Sequence, residues 1–298
     1  MACPFLRETS VKFCHAAPVR KLIPLAQAGR AEEKCSSGAY QSCRVFQSRP
    51  AAGAASGTCP HLVESLMQYC GAASVSRYVP YSESVLSRCG KDGFRYCELY
   101  LAMAHPGLDA DDVDGLPLPA WLRYSANHMW LDVAEDGTCH AGIDSFLSRA
   151  IGGVEGISYV WTGGDHRPAA VLTVGGVDFE VVFPNPLRIV ACNLYLRANP
   201  HRLNSQPYTS GWLFEGTALD ETTRGLLRGP GARTWMENDL KRINQLLQEC
   251  TAGLAADGGV FAPGLIAHLP REQAVALFHE FFSLWSVLPR DAGGRREP

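Results

Sequence analysis

Lysine is scarce in this chain of 298 residues: there are five, and none falls between Lys91 and Lys241. No apolar run approaches the ~20 residues that cross a bilayer, so no helical membrane span is expected. An excess of positive charge is missing as well. Lys and Arg total 27 against 30 Asp and Glu, for a formal net charge of −3, and a slightly acidic balance gives no field for gripping nucleic acid. The opening Met1-Ala2-Cys3-Pro4-Phe5-Leu6-Arg7-Glu8 lacks the basic-then-apolar layout of a secretory leader, which predicts a cytoplasmic protein. Phosphate-cradling Gly-rich loops ending in Lys, the Gly-x-Ser-x-Gly elbow and His-Glu-x-x-His are all absent. Nothing therefore names a reaction, and a non-enzymatic role is the expectation.

What is plentiful is cysteine, with 11 residues, eight of them before residue 98. In a reducing compartment such thiols point to metal ligation rather than disulfide scaffolding. They form an internal repeat. Cys3, Cys14, Cys35 and Cys43 are separated by 10, 20 and 7 residues; Cys59, Cys70, Cys89 and Cys97 by 10, 18 and 7. Aligning Cys3–Pro24 with Cys59–Pro80 gives nine identities in 22 positions, including Cys3/Cys59, Pro4/Pro60, Glu8/Glu64 and Cys14/Cys70. Tyr40 and Phe94 also correspond, and 48–57 between the copies reads as an Ala, Gly, Ser and Pro-rich linker.

Four thiolates accept one Zn²⁺ or one iron–sulfur cluster. Structural zinc sites usually draw two ligands from a tight Cys-x₂₋₄-Cys turn, and no such pair occurs here. A cubane spreads its ligands wider than one metal atom, so two iron–sulfur clusters, of the 4Fe–4S type, are the leading expectation and zinc the alternative. Each set of four holds one cluster, or the copies exchange ligands as two-cluster ferredoxins do; the sequence leaves both open. Segments Glu8–Phe13 and Glu64–Tyr69 have helix-compatible residues, and Pro24 and Pro80 predict the ends of helices through Ala16–Lys21 and Ala72–Arg77. The module is thus expected to be small and helical around its metals.

Residues 105–119, rich in Asp, Gly and Pro, read as a linker. Beyond them His128–Val133, Ile157–Trp161, Ala170–Val174, Val177–Phe183 and Arg188–Cys192 read as strands, with Gly175-Gly176 as a two-residue hairpin turn. This portion is expected to be all-β. Cys139 and Cys192 are expected to be small buried residues or, if they approach each other, a thiol pair.

Arg123-Tyr124-Ser125-Ala126-Asn127-His128-Met129-Trp130-Leu131, Glu135-Asp136-Gly137-Thr138, Ala141-Gly142-Ile143, Pro184, Ile189–Asn193 and Asn204-Ser205-Gln206-Pro207-Tyr208-Thr209-Ser210-Gly211-Trp212-Leu213-Phe214 together resemble the glycine cleavage system H protein family. The resemblance covers about residues 121–216. It implies a lipoyl-type flattened β-barrel, or barrel-sandwich hybrid, in which a lysine at a hairpin tip carries lipoic acid and shuttles an aminomethyl group between partner enzymes. In this chain Gly175 and Gly176 occupy that tip and no lysine is near, so no lipoate is expected. The retained aromatic residues then either pack the domain or keep a docking surface for a protein partner.

Thr234-Trp235-Met236-Glu237 has the form of a capping box and predicts a helix start, with Met236, Leu240, Ile243, Leu247 and Cys250 on one face. A second helix after Pro270 carries Leu277, Phe278, Phe281, Phe282, Leu284, Trp285 and Leu288 over more than half its circumference. That breadth predicts packing on this chain's own β domain or cysteine module, or a homodimer or partner interface. His279 reads as a helix-surface or satisfied core residue rather than a ligand, and 290–298 as a frayed tail.

The expected fold class is α+β: a helical cysteine-rich metal module over 1–104 (copies about 3–47 and 59–104), a lipoyl-like β domain over 121–216 and C-terminal helices over 230–290. The expected function is a non-lipoylated H-protein-like chain binding two iron–sulfur clusters, in electron transfer or redox-dependent docking of a protein partner. The alternatives are a zinc-stabilised adaptor without redox role and an accessory subunit of a multi-component enzyme.

Overall fold

The computed structural model describes residues 2–17, 22–24, 34–50, 57–74, 77–79, 88–104, 110–160, 165–250 and 261–284. The chain divides into two compact units, Met1–Arg95 and Tyr96–Pro298.

In the first unit, strands β1 (Leu6–Cys14) and β2 (Leu22–Pro24) precede helix α1 (Arg44–Ser48), and β3 (Leu62–Cys70) and β4 (Arg77–Val79) repeat the arrangement. They form one antiparallel sheet in the order β2-β1-β3-β4. The expected helices over Glu8–Phe13 and Glu64–Tyr69 are strands, so the helical module is corrected to a β-sheet with short 3-10 turns at Lys34–Ser36, Gly38–Ser42, Arg88–Gly90 and Asp92–Tyr96. The physical reason is the partner. Local composition was compatible with helix, but β1 pairs along its whole length with its own repeat, Leu6 opposite Cys70 and Cys14 opposite Leu62. Thr9, Val11 and Phe13 suit a pleated face, and Val11 is fully buried. Ala16-Ala17 and Ala72-Ala73 lie in bends and turns, and Pro24 ends a strand. Residues 18–21, 75–76 and 80 of the other predicted segments lie outside the described residues, as do 51–56 of the linker.

The second unit begins with α2 (Glu98–Ala104) and the hairpin β5 (Asp111–Val113) and β6 (Leu116–Leu118). That hairpin corrects the linker reading of 110–119: Val113, Leu116 and Leu118 are buried in the core, while 105–109 lie outside the described residues. Then follow β7 (Arg123–Tyr124), β8 (Met129–Val133), β9 (Thr138–Ile143), α3 (Ser145–Ile151), β10 (Gly156–Val160), β11 (Asp165–His166), β12 (Ala169–Val174), β13 (Val177–Val182) and β14 (Leu187–Cys192). The chain continues through α4 (Tyr195–Ala198), α5 (Arg202–Ser205), β15 (Phe214–Ala218), α6 (Pro230–Cys250), α7 (Leu265–His268) and α8 (Arg271–Phe281).

A three-stranded sheet β10-β12-β13 and a six-stranded sheet β11-β14-β15-β9-β8-β7 bury their facing residues in one core. Among the described residues the two sheets remain separate and no closed barrel forms, so the sandwich side of the expected barrel-sandwich hybrid is what the structure shows. The portion is also not all-β. Helix α3 lies within it, begun by Asp144, whose side chain accepts from the Leu147 amide at 2.9 Å, a favourable N-cap. Helix α6 starts at Pro230 rather than at the predicted capping box. Proline is well placed at a first helical position because its missing N–H costs nothing there; Glu237 instead accepts from Arg233 Nε at 3.1 Å. In α8, Phe278 packs on Phe179 with ring centroids 4.7 Å apart, and Phe281 and Phe282 pack on Phe146. The described apolar face of this helix is thus used by the chain's own core. Trp285, Leu288 and the tail at 290–298 lie outside the described residues.

Candidate functional site

Both copies of the cysteine repeat are built alike. Cys3 and Cys59 begin tight turns, with the Leu6 amide donating to the Cys3 carbonyl and the Leu62 amide to the Cys59 carbonyl, both at 3.0 Å. A Pro at the second turn position, here Pro4 and Pro60, presets the backbone for such a bend. Each turn leads into a strand that ends on the next cysteine, Cys14 or Cys70. Cys35 and Cys89 lie in 3-10 turns, and Cys43 directly precedes α1. Cys97 directly precedes α2, in the second unit. Cys3 and Cys59 are buried and the other six are half-buried.

Backbone hydrogen bonds bring two pairs together: the Cys3 amide donates to the Cys89 carbonyl and the Cys59 amide to the Cys35 carbonyl, each at 2.8 Å. Among the described residues, no group of three or more His, Cys, Asp or Glu is gathered closely enough to hold a metal ion. A single zinc atom holds four sulfurs at about 2.3 Å from its centre, which demands tighter convergence than a cluster with four separate iron corners.

In the second unit, β12 and β13 form a hairpin closed by Gly175 and Gly176, the two predicted tip residues. Their φ angles of 57° and 70° are those of a type I′ turn, which requires positive φ at both central residues. Gly175 faces α7 closely enough that a Cβ there would lie 3.8 Å from Ala267. The tip offers no amine, and no lysine lies elsewhere in 92–240. The residues present therefore do not fit an amide-linked lipoyl arm.

The motif residues on either side of this hairpin serve packing. Trp130 Nε1 donates to the Pro207 carbonyl at 3.1 Å, and Tyr208 Oη donates to the Pro117 carbonyl at 2.8 Å. Asn193 Nδ2 donates to the carbonyls of Ser210 and Trp212, both at 2.9 Å. Cys139 and Cys192 do not approach each other: Cys139 is opposite Gly216 and Cys192 opposite Phe214, on strands flanking β15. Two strand spacings separate them by roughly 10 Å. Burial pushes the Cys139 thiol up to about 12 and raises Cys192 as well, so neither is a ready thiolate.

A feature that sequence reasoning missed is His128. It is fully buried, with Nδ1 2.8 Å from Asp144 Oδ2 and Nε2 3.4 Å from Asp239 Oδ2. Burial lowers its pKa, but the two carboxylates outweigh that and raise it to about 9. The available signal was Asp144, legible as a helix N-cap; Asp239, far along the chain, gave none. A cleft of about 480 Å³ opens beside α3, near Arg149, Asn204 and Tyr208. Its strongest donors are already used, Arg149 Nε by the Phe261 carbonyl at 2.7 Å and Asn204 Nδ2 by the Ser148 carbonyl at 2.6 Å.

Comparison with known proteins locates a match to the family described as glycine cleavage H-protein at residues 122–238. The glycine cleavage system H protein of Enterobacter sp. (strain 638) is 32% identical over 128 residues, covering 41% of this chain and 98% of that protein. That of Micrococcus luteus is 33% identical over 121 residues, covering 38% and 93%. A crystal structure of a glycine cleavage system H protein from Mycobacterium marinum aligns with a TM-score of 0.33 at 22% identity, covering 41% of this chain and 98% of that one. All eight repeat cysteines lie outside the family match.

Proposed function

Because the chain belongs to the glycine cleavage H-protein family through 122–238 yet has two glycines at its hairpin tip, we propose a non-lipoylated family member that works through metal. Its repeats bind two iron–sulfur clusters, of the 4Fe–4S type, through Cys3, Cys14, Cys35, Cys43, Cys59, Cys70, Cys89 and Cys97. The clusters transfer electrons to a protein partner that docks on the H-protein-like unit.

The observation that carries this reading is how little apolar core the first unit has. Among its described residues, the buried apolar side chains are Cys3, Val11, Ala16, Tyr40, Cys59 and Phe94, two of them repeat cysteines. Small units short of core commonly rely on metal bonds for their folding free energy. Duplication of the whole four-cysteine pattern supports two equivalent sites, and half-buried thiols suit clusters that exchange electrons near the surface. For docking, Leu194 and Tyr195 after β14 expose 62% and 63% of their surface, more than packing within the unit requires. No helix among the described residues is long and apolar enough to cross a membrane.

The test is anaerobic purification of the full chain, an absorbance spectrum, and quantitation of iron, sulfide and zinc. Two cubanes give a broad band near about 400 nm with about eight iron and eight sulfide per chain. A colourless protein with about two zinc ions replaces the electron-transfer reading with a zinc-stabilised adaptor, and a metal-free folded protein overturns both.

A further inference from the structure

Taking the repeats as cluster sites, as proposed above, we infer that the sites are exchanged between the copies: Cys59 of the second copy completes the site of Cys14, Cys35 and Cys43. Reciprocally, Cys3 of the first copy joins Cys70 and Cys89.

The inference starts from the strand register. β1 and β3 are repeat-equivalent and antiparallel, and their pairing is centred on Ser10 opposite Leu66, which are themselves equivalent positions. This pairing has two-fold symmetry. It sets the end of each strand against the beginning of the other, so Cys14 faces Leu62, three residues after Cys59, while Cys70 faces Leu6, three residues after Cys3. Within one copy the relation is the reverse. Cys3 lies in the tight turn before β1 and Cys14 is the last residue of that nine-residue strand, whose eight steps of about 3.3 Å hold Leu6 and Cys14 about 26 Å apart. No single cluster spans that distance.

The turn that begins at Cys59 meets the first copy at several points. The Cys59 amide donates to the Cys35 carbonyl at 2.8 Å, and the His15 amide, next to Cys14, donates to the His61 carbonyl at 2.9 Å. The His61 ring lies 5.9 Å from Phe46, three residues past Cys43, and its Nε2 is 2.6 Å from the Arg49 carbonyl oxygen. Phe46 is in turn set edge-on against the buried Tyr40 at 4.9 Å, between Cys35 and Cys43 in the chain. Thus the turn that begins at Cys59 touches the segments carrying Cys14, Cys35 and Cys43. The symmetric bonds, Cys3 to Cys89 and Gly71 to the Phe5 carbonyl, both 2.8 Å, do the same for Cys3, Cys70 and Cys89.

Two double variants of the full chain, purified anaerobically, decide the matter through iron and sulfide content. In the exchanged arrangement, Cys14→Ser with Cys59→Ser damages one site and leaves about half the wild-type iron, as expected for one intact four-thiolate site. Cys14→Ser with Cys3→Ser damages both and leaves almost none. The opposite ranking places each site within one copy and overturns the inference. Because losing one site can loosen the whole unit, the Cys59→Ser single variant is also alkylated under native anaerobic conditions and mapped by mass spectrometry. Rapid labelling of Cys14, Cys35 and Cys43, with Cys3, Cys70 and Cys89 protected, supports exchange. Labelling of Cys70, Cys89 and Cys97 instead, or of all cysteines alike, overturns it. A wild-type chain without iron and with every repeat thiol labelled fails the cluster reading itself, an outcome separate from either ranking.

Discussion

His128 is buried among aromatic side chains, where a charged imidazole would ordinarily be disfavoured. Its ring stacks on Phe146, 4.1 Å between centroids and 12° from parallel, and is closed in by Trp235 and Phe282. Such apolar walls disfavour charge, yet Asp144 and Asp239 flank the two ring nitrogens, and Arg242 Nη1 donates to Asp239 Oδ1 at 3.2 Å. The folded-state pKa of about 9 lies above the ordinary value of about 6.5. The protonated ring therefore contributes stability that is fully present below about pH 6.5 and lost as pH rises through about 9. The shift corresponds to roughly 3 kcal/mol. Denaturant unfolding of wild type and His128→Gln should differ by on the order of that amount at pH 6, and the gap should shrink markedly by pH 9.5. A constant gap would mean that the ring is neutral in the fold. The same scale governs the hairpin tip. Gly175 and Gly176 provide no nucleophilic amine, so incubation with lipoic acid and a lipoate-attaching ligase should leave the intact mass unchanged; one added lipoyl group would restore the swinging-arm chemistry to this chain.

Elements were legible where their partners were close in sequence. β12 is an apolar run and β13 alternates through Val177, Asp178, Phe179, Glu180 and Val181, the two joined by a Gly-Gly turn, so the hairpin is visible without a structure. β1 and β3 are of ordinary strand length too, but each pairs with a segment 56 residues away through the Leu6–Leu62 equivalence. Their local residues carried no decisive period, and helix was a reasonable but incorrect expectation. The start of α6 falls one turn before the capping-box form at Thr234, at Pro230, whose missing N–H costs nothing at a first helical position. In the core, two motif glycines, one in a strand and one in a turn, show what the family-like motif is for. A Cβ on Gly142 in β9 would lie 2.8 Å from the Trp130 ring, and one on Gly211 would lie 2.7 Å from the Gln206 carbonyl oxygen. Trp130 is fully buried and cannot swing away. Gly142→Ala should therefore cost about 1–3 kcal/mol through overpacking, read as a lower urea midpoint with unchanged slope. An unaltered midpoint would show that the indole has room to move.

For the whole molecule, the family resemblance made the second unit legible because its motifs are the residues that pack it, whereas the cysteine repeat shows a spacing without saying which thiols come together. That difference also separates the two units energetically. The second has a continuous core that includes Trp130, Phe146, Phe214 and Phe281, enough to stand without metal. The first, with few buried apolar side chains among its described residues, depends on its thiolates if the cluster reading holds, since metal binding and folding are then one free-energy change. The sequence supplies a convenient separation of signals: all six tryptophans lie at or beyond Trp121, so indole fluorescence reports the second unit alone. Removing iron from the full chain with a chelator under reducing conditions should abolish the visible absorbance and the strand signal of the first unit. The tryptophan-monitored unfolding midpoint should move by less than about 1 kcal/mol, the scale of ordinary surface effects. If the first unit keeps its strand signal and resistance to proteolysis without metal, its sheet stands on the β1–β3 pairing alone and the thiolates have some use other than holding it together.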